Sequence, residues 1–132
     1  MATIFSRIVS GEIPAYKIAE DENYLAFLDI FPLAKGHTLV IPKKEVDYIF
    51  NMEDDLFEGL HRFSKKIAKA LQKSVVCERI GVAVIGLEVP HAHIHLIPIN
   101  NVNDINFSRP KLQFNKEEYE KIVADVKANL EM

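Results

Sequence analysis

The sequence has little of the chemistry with which small proteins are held together covalently. Cys77 is the one cysteine among its 132 residues, which excludes an intramolecular disulfide framework and any cysteine-rich zinc site. No apolar run approaches the roughly 20 residues that a membrane-spanning helix needs. The N-terminus also lacks the basic segment and long apolar run of a signal peptide. We therefore expect a cytoplasmic protein with no membrane partner.

An excess of charge of either sign is missing as well. The formal net charge is −3 at pH 7, so no overall positive field attracts nucleic acid. Lys43 and Lys44 are too few to form a groove-binding patch, and we expect no nucleic-acid partner. The length is enough to bury a core. We expect a single domain over residues 1–132, with its core at 3–99 and a C-terminal loop and helix at 100–132.

Hydrophobic periodicity and turn residues predict three helices among five strands. Thr3 is placed to cap a short first helix, an apolar stripe predicts a long helix over residues 54–74, and Asn115 with Glu118 forms a capping box for the last one. The strands are expected at residues 16–20, 24–30, 36–42, 80–85 and 91–99. Short connections favour antiparallel pairing. The order of elements indicates an α+β fold, a five-stranded antiparallel sheet with helices mainly on one face.

One segment carries most of the chemical information. Residues 91–97 read His-Ala-His-Ile-His-Leu-Ile and place three of the five histidines at alternate positions among apolar residues. Alternate side chains of a β-strand point to the same face, about 6.5–7 Å apart. We therefore expect His91, His93 and His95 to line one face of the last strand.

Three explanations of these histidines are open. In the first, His93 attacks phosphorus while its neighbours handle protons and oxyanion charge, and its other ring nitrogen donates to an acceptor that we expect to be a backbone carbonyl. In the second, two of the three imidazoles bind a metal ion. In the third, all three are hydrogen-bonded core residues without chemistry.

The segment also resembles a known pattern, His-x-His-x-His followed by two apolar residues, which is the signature of the histidine triad (HIT) superfamily of nucleotidyl hydrolases and transferases. Further similarity to its Hint-type branch lies at residues 3–5, 13–15, 25–30 and 36–43, in the right order. The resemblance implies the HIT-like α+β fold and a homodimer. It also implies a nucleotidyl hydrolase or transferase that acts on purine nucleoside phosphoramidates or related nucleotide conjugates.

The resemblance implies a role for each matched position. His93 would become nucleotidylated, and His91 and His95 would orient it, contact the phosphate and assist the leaving group. His37 would lie beside the triad. Asp29 would bind the ribose hydroxyls, which suits a carboxylate that accepts from two adjacent O–H groups. The nucleobase would lie among Ile4, Phe5, Ile8, Ile13 and Phe27, although core packing alone also explains these residues, and the phosphate beside Gly86, Glu88 and Val89.

The connection before the triad departs from the family's pattern. Gly86 and Val89 fit, but Leu87 replaces an amide and Glu88 replaces a hydroxyl that donates to phosphate. A carboxylate repels a phosphate. Glu88 therefore either points away and leaves its backbone N–H for the phosphate, or holds a leaving-group amine such as lysine. These changes leave an alternative function open, a nucleotide-binding regulatory module with weak or no turnover.

The resemblance also bears on metals and cofactors. Thr3 and Ser6 stand where some bacterial relatives carry the cysteines of a zinc site. We therefore expect no structural zinc. The family's chemistry needs neither a metal nor another cofactor, and we expect none here.

Overall fold

Three α-helices and five strands make up the fold in the computed structural model, which describes residues 2–131. Two short 3-10 helices lie at Ile49–Asn51 and Val102–Asp104. Within the described residues, no helix combines the length and the apolar character that crossing a membrane requires. The helices are α1 (Ile4–Val9), α2 (Asp54–Ser74) and α3 (Lys116–Ala128), and the strands are β1 (Lys17–Glu20), β2 (Tyr24–Leu28), β3 (Thr38–Pro42), β4 (Arg79–Ala83) and β5 (Ile94–Ile99).

The five strands form one antiparallel sheet in the order β1-β2-β3-β5-β4, which confirms the predicted fold class. The β1–β2 hairpin closes because Asp21 Oδ1 accepts from the backbone N–H groups of Asn23 and Tyr24, each at 2.8 Å. In the sheet, β4 pairs with β5 and forms one edge. The strand ends lie within two residues of the predicted ones, except at the start of β5.

The helices divide between the two faces of the sheet. Helices α2 and α3 share the larger core with Ala26 of β2 and Val40 of β3, and α2 begins and ends at the predicted residues. The predicted capping box of α3 is present. Helix α1 covers part of the opposite face, where Phe5 packs in a second apolar cluster with Leu25 and Phe27. The triad lies on this second side.

The prediction of a strand over residues 91–99 is wrong at its beginning. Strand β5 starts at Ile94, so His91 and His93 lie in an irregular segment before it, and His95 alone of the three is in a strand. Pairing with β3 stops at Val40↔Ile94. The physical reason is that Pro42 has no N–H for the ladder. Its carbonyl accepts from the His91 ring at 2.8 Å, while the backbone N–H of Ala92 donates to Val46.

Candidate functional site

The candidate active site lies where the ends of three neighbouring strands meet. Asp29 directly follows β2, His37 directly precedes β3, and His95 lies in β5 opposite Leu39. The His95 ring centroid is 4.9 Å from that of His93 and 5.2 Å from that of His37. The sheet order thus brings together His37, His93, His95 and Asp29, which are up to 66 positions apart (95 minus 29) in the sequence.

His93 presents an unprotonated nitrogen. Its Nδ1 lies 2.8 Å from the backbone oxygen of His91, which confirms the predicted carbonyl acceptor. Because a carbonyl only accepts, Nδ1 must carry the proton, and the lone pair is on Nε2. Burial lowers the pKa of His93, while the hydrogen bond to His91 and the charge of Asp29 act in the opposite direction. At pH 7 His93 is therefore a neutral imidazole with the protonation state of a nucleophile.

A chain of hydrogen bonds fixes the tautomers of His37 and His95. The backbone N–H of Leu33 donates to His37 Nδ1 at 3.0 Å, so the proton of neutral His37 must be on Nε2. His37 Nε2 lies 3.0 Å from His95 Nδ1 and donates to it. His95 consequently carries its own proton on Nε2. The chain thus makes His95 a hydrogen-bond donor through Nε2.

His37 and His95, the two histidines of this hydrogen-bond chain, are both neutral at pH 7. Burial lowers the pKa of His37 to about 4, with further lowering by the positive charge of Lys111 and, at acidic pH, by protonated His93. Burial likewise lowers the pKa of His95 to about 3, followed by the effects of His93 and His37. His95 is therefore suited to donate a hydrogen bond rather than to act as an imidazolium acid.

Asp29, His37 and His95 are also candidate metal ligands, the one such group among the described residues. Ligand atoms of Asp29, His37 and His95 all lie within 4.8 Å of one another. A metal needs a lone pair on the nitrogen that faces it. His37 Nε2 carries a proton, because its other nitrogen is occupied by the N–H of Leu33. The arrangement therefore fits a proton-bearing chain and does not fit a metal site.

His91 has no free ring nitrogen. The side chain is fully buried, Nε2 donates to the backbone oxygen of Pro42 at 2.8 Å, and Nδ1 lies 2.9 Å from Thr3 Oγ1. Burial lowers the pKa of His91, and the ring is neutral. In this geometry His91 orients His93 through its carbonyl. Its ring is therefore available neither to a phosphate nor to a metal ion, so His91 is not one of two triad imidazoles that could bind a metal.

The apolar residues expected around a nucleobase lie together beside the triad. Phe5, Ile8 and Phe27 are buried, Ile13 is half-buried, and all four belong to the second apolar cluster. Phe5 lies edge-on to His93, with 4.9 Å between the ring centroids. Ile4 is the member with substantial exposed surface, at 48%. Phe5, Ile8, Ile13 and Phe27 therefore act first as core, whereas Ile4 lies outside this cluster and is exposed.

Asp29 is held by backbone groups at the same end of the sheet. Its Oδ1 accepts from the N–H of Phe31 at 2.8 Å, and its Oδ2 lies 3.5 Å from His37 Nε2. Its backbone oxygen accepts from the hydroxyl of Tyr119 at 3.2 Å. The carboxylate retains acceptor capacity and is only partly exposed, at 16%.

The connection from β4 to the triad has an exposed carboxylate. Gly86 has φ +74°, a conformation that favours glycine, and the Glu88 side chain is exposed. Val89 packs against the second apolar cluster, and its carbonyl accepts from the N–H of His91 at 2.8 Å. The loop is thus anchored at Val89 and open to solvent at Glu88.

Sequence reasoning missed three side chains that contact these residues. Phe107 lies edge-on to His95 with 4.8 Å between ring centroids, and a lone aromatic residue in a polar loop is the signal that was available. The sequence predicts Thr3 as a helix cap but gives no sign that it also contacts the His91 ring. Glu45 contacts the backbone of Thr3 and has no sequence signal of its own.

Comparisons with known proteins agree with this geometry. The family model described as "HIT domain" matches residues 10–102. An uncharacterized HIT-like protein of Borreliella burgdorferi is 38% identical over 96% of this chain and 97% of its own. Adenosine 5'-monophosphoramidase hnt1 of Schizosaccharomyces pombe is 39% identical over 76% of this chain and 77% of its own. A crystal structure of a Hit-like protein involved in cell-cycle regulation from Bartonella henselae superposes with a TM-score of 0.85 at 31% identity, covering 97% of this chain and 96% of that one. With its triad, its sheet and these relatives, the chain belongs to the HIT family.

Proposed function

We propose that the protein hydrolyses purine nucleoside phosphoramidates or related nucleotide conjugates through a covalent nucleotidyl group on His93. The observation that carries this proposal is the hydrogen bond from His93 Nδ1 to the carbonyl of His91, because it directs the lone pair to Nε2. The name of the yeast relative, a monophosphoramidase, supports the substrate class.

The proposed reaction has two displacements at phosphorus. In the first, His93 Nε2 forms a bond to phosphorus while the bond from phosphorus to the leaving amine breaks, and the amine takes up one proton from water. In the second, a water oxygen bonds to phosphorus, the bond to Nε2 breaks, and the proton of that water returns to solvent. His93 ends in its starting state, and the net change is addition of one water.

The other histidines act without changing protonation state in this proposal. His95 donates its Nε2–H to a non-bridging phosphoryl oxygen, where negative charge accumulates in the transition state. His37 keeps that proton on Nε2 by donating to Nδ1. His91 orients His93. All three are neutral donors or acceptors around one nucleophile.

Nucleotide recognition is proposed at the adjoining residues. Asp29 accepts from the ribose hydroxyls, since its Oδ2 has no hydrogen-bond partner closer than His37 Nε2 at 3.5 Å among the described residues. The nucleobase lies on the exposed surface of Ile4, with Phe5, Ile8, Ile13 and Phe27 behind it. The phosphate lies beside Gly86, Glu88 and Val89, and Glu88 faces the leaving group.

The proposed macromolecular partner is a second copy of the chain. Strand β4 has one neighbour in the sheet, β5, so its other edge is unpaired within residues 2–131. Val82 of β4 and the following Val84 and Ile85 are 60%, 39% and 47% exposed. An unpaired apolar edge strand favours pairing with another strand. These features support the homodimer.

The first experiment is a single turnover with a fluorogenic adenosine phosphoramidate, followed by intact-mass analysis. We expect product release and a nucleotidyl adduct, both lost in His93→Ala while the circular dichroism spectrum is unchanged. His61→Ala is the matched control, because His61 is an exposed histidine on α2. Full activity in His93→Ala would remove His93 from the mechanism.

The alternative function gives a different result in the same experiment. The exposed Glu88 favours this regulatory module. It lies in the proposed phosphate loop, residues 86–89, where a carboxylate opposes phosphate binding and catalysis. A regulatory module would bind AMP in a calorimeter and yield neither adduct nor product. A conjugate with another leaving group would then be the next substrate to test.

A further inference from the structure

We infer that Thr3 and Glu45 are positioning residues for the nucleophile, which they hold through the ring of His91. The inference rests on the proposed function of His93. We use the name N-terminal clamp for Thr3, Ser6, Glu45 and His91, whose polar atoms form one connected set of hydrogen bonds.

Thr3 is the centre of the N-terminal clamp because its hydroxyl lies against three polar atoms: the backbone N–H of Ser6, Nδ1 of His91 and, farther away at 3.4 Å, the hydroxyl of Ser6. Oγ1 accepts from the backbone N–H of Ser6 at 3.0 Å, which caps helix α1. The same Oγ1 lies 2.9 Å from Nδ1 of His91. Since His91 donates from Nε2 to Pro42, its Nδ1 has a lone pair, and the hydroxyl of Thr3 must donate to it. Thr3 thus specifies one tautomer of His91.

Glu45 holds Thr3 from the opposite side. Its Oε1 accepts from the backbone N–H of Thr3 at 2.8 Å and lies 3.5 Å from Ser6 Oγ. Glu45 belongs to the segment after β3, so this contact joins α1 to the sheet across 42 positions of sequence. The carboxylate is exposed, and we therefore expect its contribution to be smaller than that of Thr3.

His91 connects the other members of the N-terminal clamp to the nucleophile, because its ring contacts Thr3 and its backbone carbonyl contacts His93. The carbonyl of His91 accepts from His93 Nδ1 at 2.8 Å. Phe5, two residues after Thr3, lies edge-on to both rings, with centroid distances of 5.8 Å to His91 and 4.9 Å to His93. Loss of the Thr3 hydroxyl leaves a buried Nδ1 without a donor. The other tautomer would instead place a lone pair of Nε2 against the carbonyl of Pro42. Neither neutral tautomer of His91 then has both ring nitrogens hydrogen-bonded. This disturbs the two contacts of His93, its hydrogen bond to the His91 carbonyl and its edge-on contact with Phe5.

The first test needs no variant. Nitrogen-15 NMR of the histidine rings in the wild-type protein distinguishes the two tautomers and the imidazolium. We expect His91 to be the neutral Nε2–H tautomer at pH 7, because its Nε2 donates to the backbone oxygen of Pro42. A wild-type His91 that carries its proton on Nδ1, or is charged at pH 7, would overturn the inference. This readout does not depend on turnover, so it separates a wrong clamp from a wrong function.

The second test measures kcat and KM in four variants. We expect Thr3→Val to lower kcat/KM for the phosphoramidate by about tenfold, mainly through kcat, because the nucleophile is misplaced. The His91 signals should shift with it. Thr3→Ser, which keeps the hydroxyl, should restore both, and Glu45→Gln should have a smaller effect in the same direction. Glu12→Gln is the matched control, since Glu12 forms an exposed ion pair with Arg7 of α1 outside the clamp.

The inference is refuted if Thr3→Val keeps wild-type kcat/KM, or if it loses activity while the His91 signals stay unchanged. If Thr3→Val does not fold, the Thr3→Ser and Glu45→Gln variants test the inference in its place. Wild-type His91 signals in Glu45→Gln would then remove Glu45 from the clamp, and a His91 tautomer altered in Thr3→Ser would contradict the role of the hydroxyl.

Discussion

At the scale of the residue, the protonation of His93 determines the pH dependence of the proposed reaction. Nucleophilic attack requires the neutral ring, and burial lowers the pKa of His93 below its ordinary 6.5. Activity should therefore be retained as pH falls to 6.5 and be lost below it, as His93 becomes protonated. A profile of kcat/KM against pH checks this. An acidic limb centred above 6.5 would contradict the neutral-nucleophile assignment.

Glu88 gives a second prediction at this scale, about the leaving group. Its exposed carboxylate follows Gly86 in the proposed phosphate loop. Glu88→Gln keeps the size and removes the repulsion of phosphate, so kcat/KM for an uncharged amine conjugate should rise severalfold. For a lysine conjugate the gain should be smaller, because the contact with the ammonium is lost as well. The two substrates are compared in both proteins. If the ratio of kcat/KM for the two substrates is the same in the wild type and in Glu88→Gln, Glu88 does not select the leaving group.

At the scale of the element, helix α2 depends on a glycine for its distance from the sheet. A Cβ on Gly59 would overlap the hydroxyl of Tyr24, which donates to the backbone oxygen of Leu56 at 3.0 Å. Helix propensity alone would make Gly59→Ala stabilising by about 1 kcal/mol. We expect the overlap to dominate and to lower the free energy of unfolding by roughly 1–3 kcal/mol.

Urea unfolding of Gly59→Ala in the wild-type and Tyr24→Phe backgrounds tests this explanation. Removing the hydroxyl takes away the nearest atom, so the penalty should shrink in the second background. If Gly59→Ala lowers the free energy of unfolding equally in both backgrounds, the strain does not come from the Tyr24 hydroxyl. A Gly59→Ala variant that is more stable than the wild type would contradict the predicted overlap.

The elements also show what sequence can predict. Helix α2 was predicted correctly at both ends because its apolar stripe repeats from Leu56 to Leu71 and acidic residues open it. The beginning of β5 was predicted wrongly because Pro42 has no N–H for the ladder and its carbonyl accepts from the His91 ring instead of from a strand. The links from Thr3 to His91 and from His37 to His95 span 88 and 58 positions. Such contacts arise from packing of the sheet, and no local pattern encodes them.

At the scale of the whole molecule, the buried histidines couple stability to pH. The pKa of His37 is about 4 in the folded protein and 6.5 in its ordinary state. Between these values the unfolded chain binds more protons, so stability rises with pH and is lost as pH falls from 6.5 toward 4. The loss is on the order of 3 kcal/mol at pH 4 for His37 alone. Urea unfolding at several pH values should show a flatter dependence for His37→Asn. If the free energy of unfolding depends on pH equally steeply in His37→Asn and in the wild type, His37 does not couple stability to pH.

The proposed dimer is the last prediction at this scale. The open edge of β4 exposes 60% of Val82, and a lysine on an edge strand opposes strand pairing. Light scattering after gel filtration should give twice the chain mass for the wild type and the single mass for Val82→Lys. Val76→Lys is the matched control, because Val76 is fully exposed and lies outside the sheet. A monomeric wild type, or a Val82→Lys variant as dimeric as the control, would contradict pairing through β4. Because Asp29, His37 and the triad all lie at β2, β3 and β5 of one protomer, a monomeric Val82→Lys should still form the His93 adduct. Loss of the adduct in a folded monomer would instead show that the second copy completes the site.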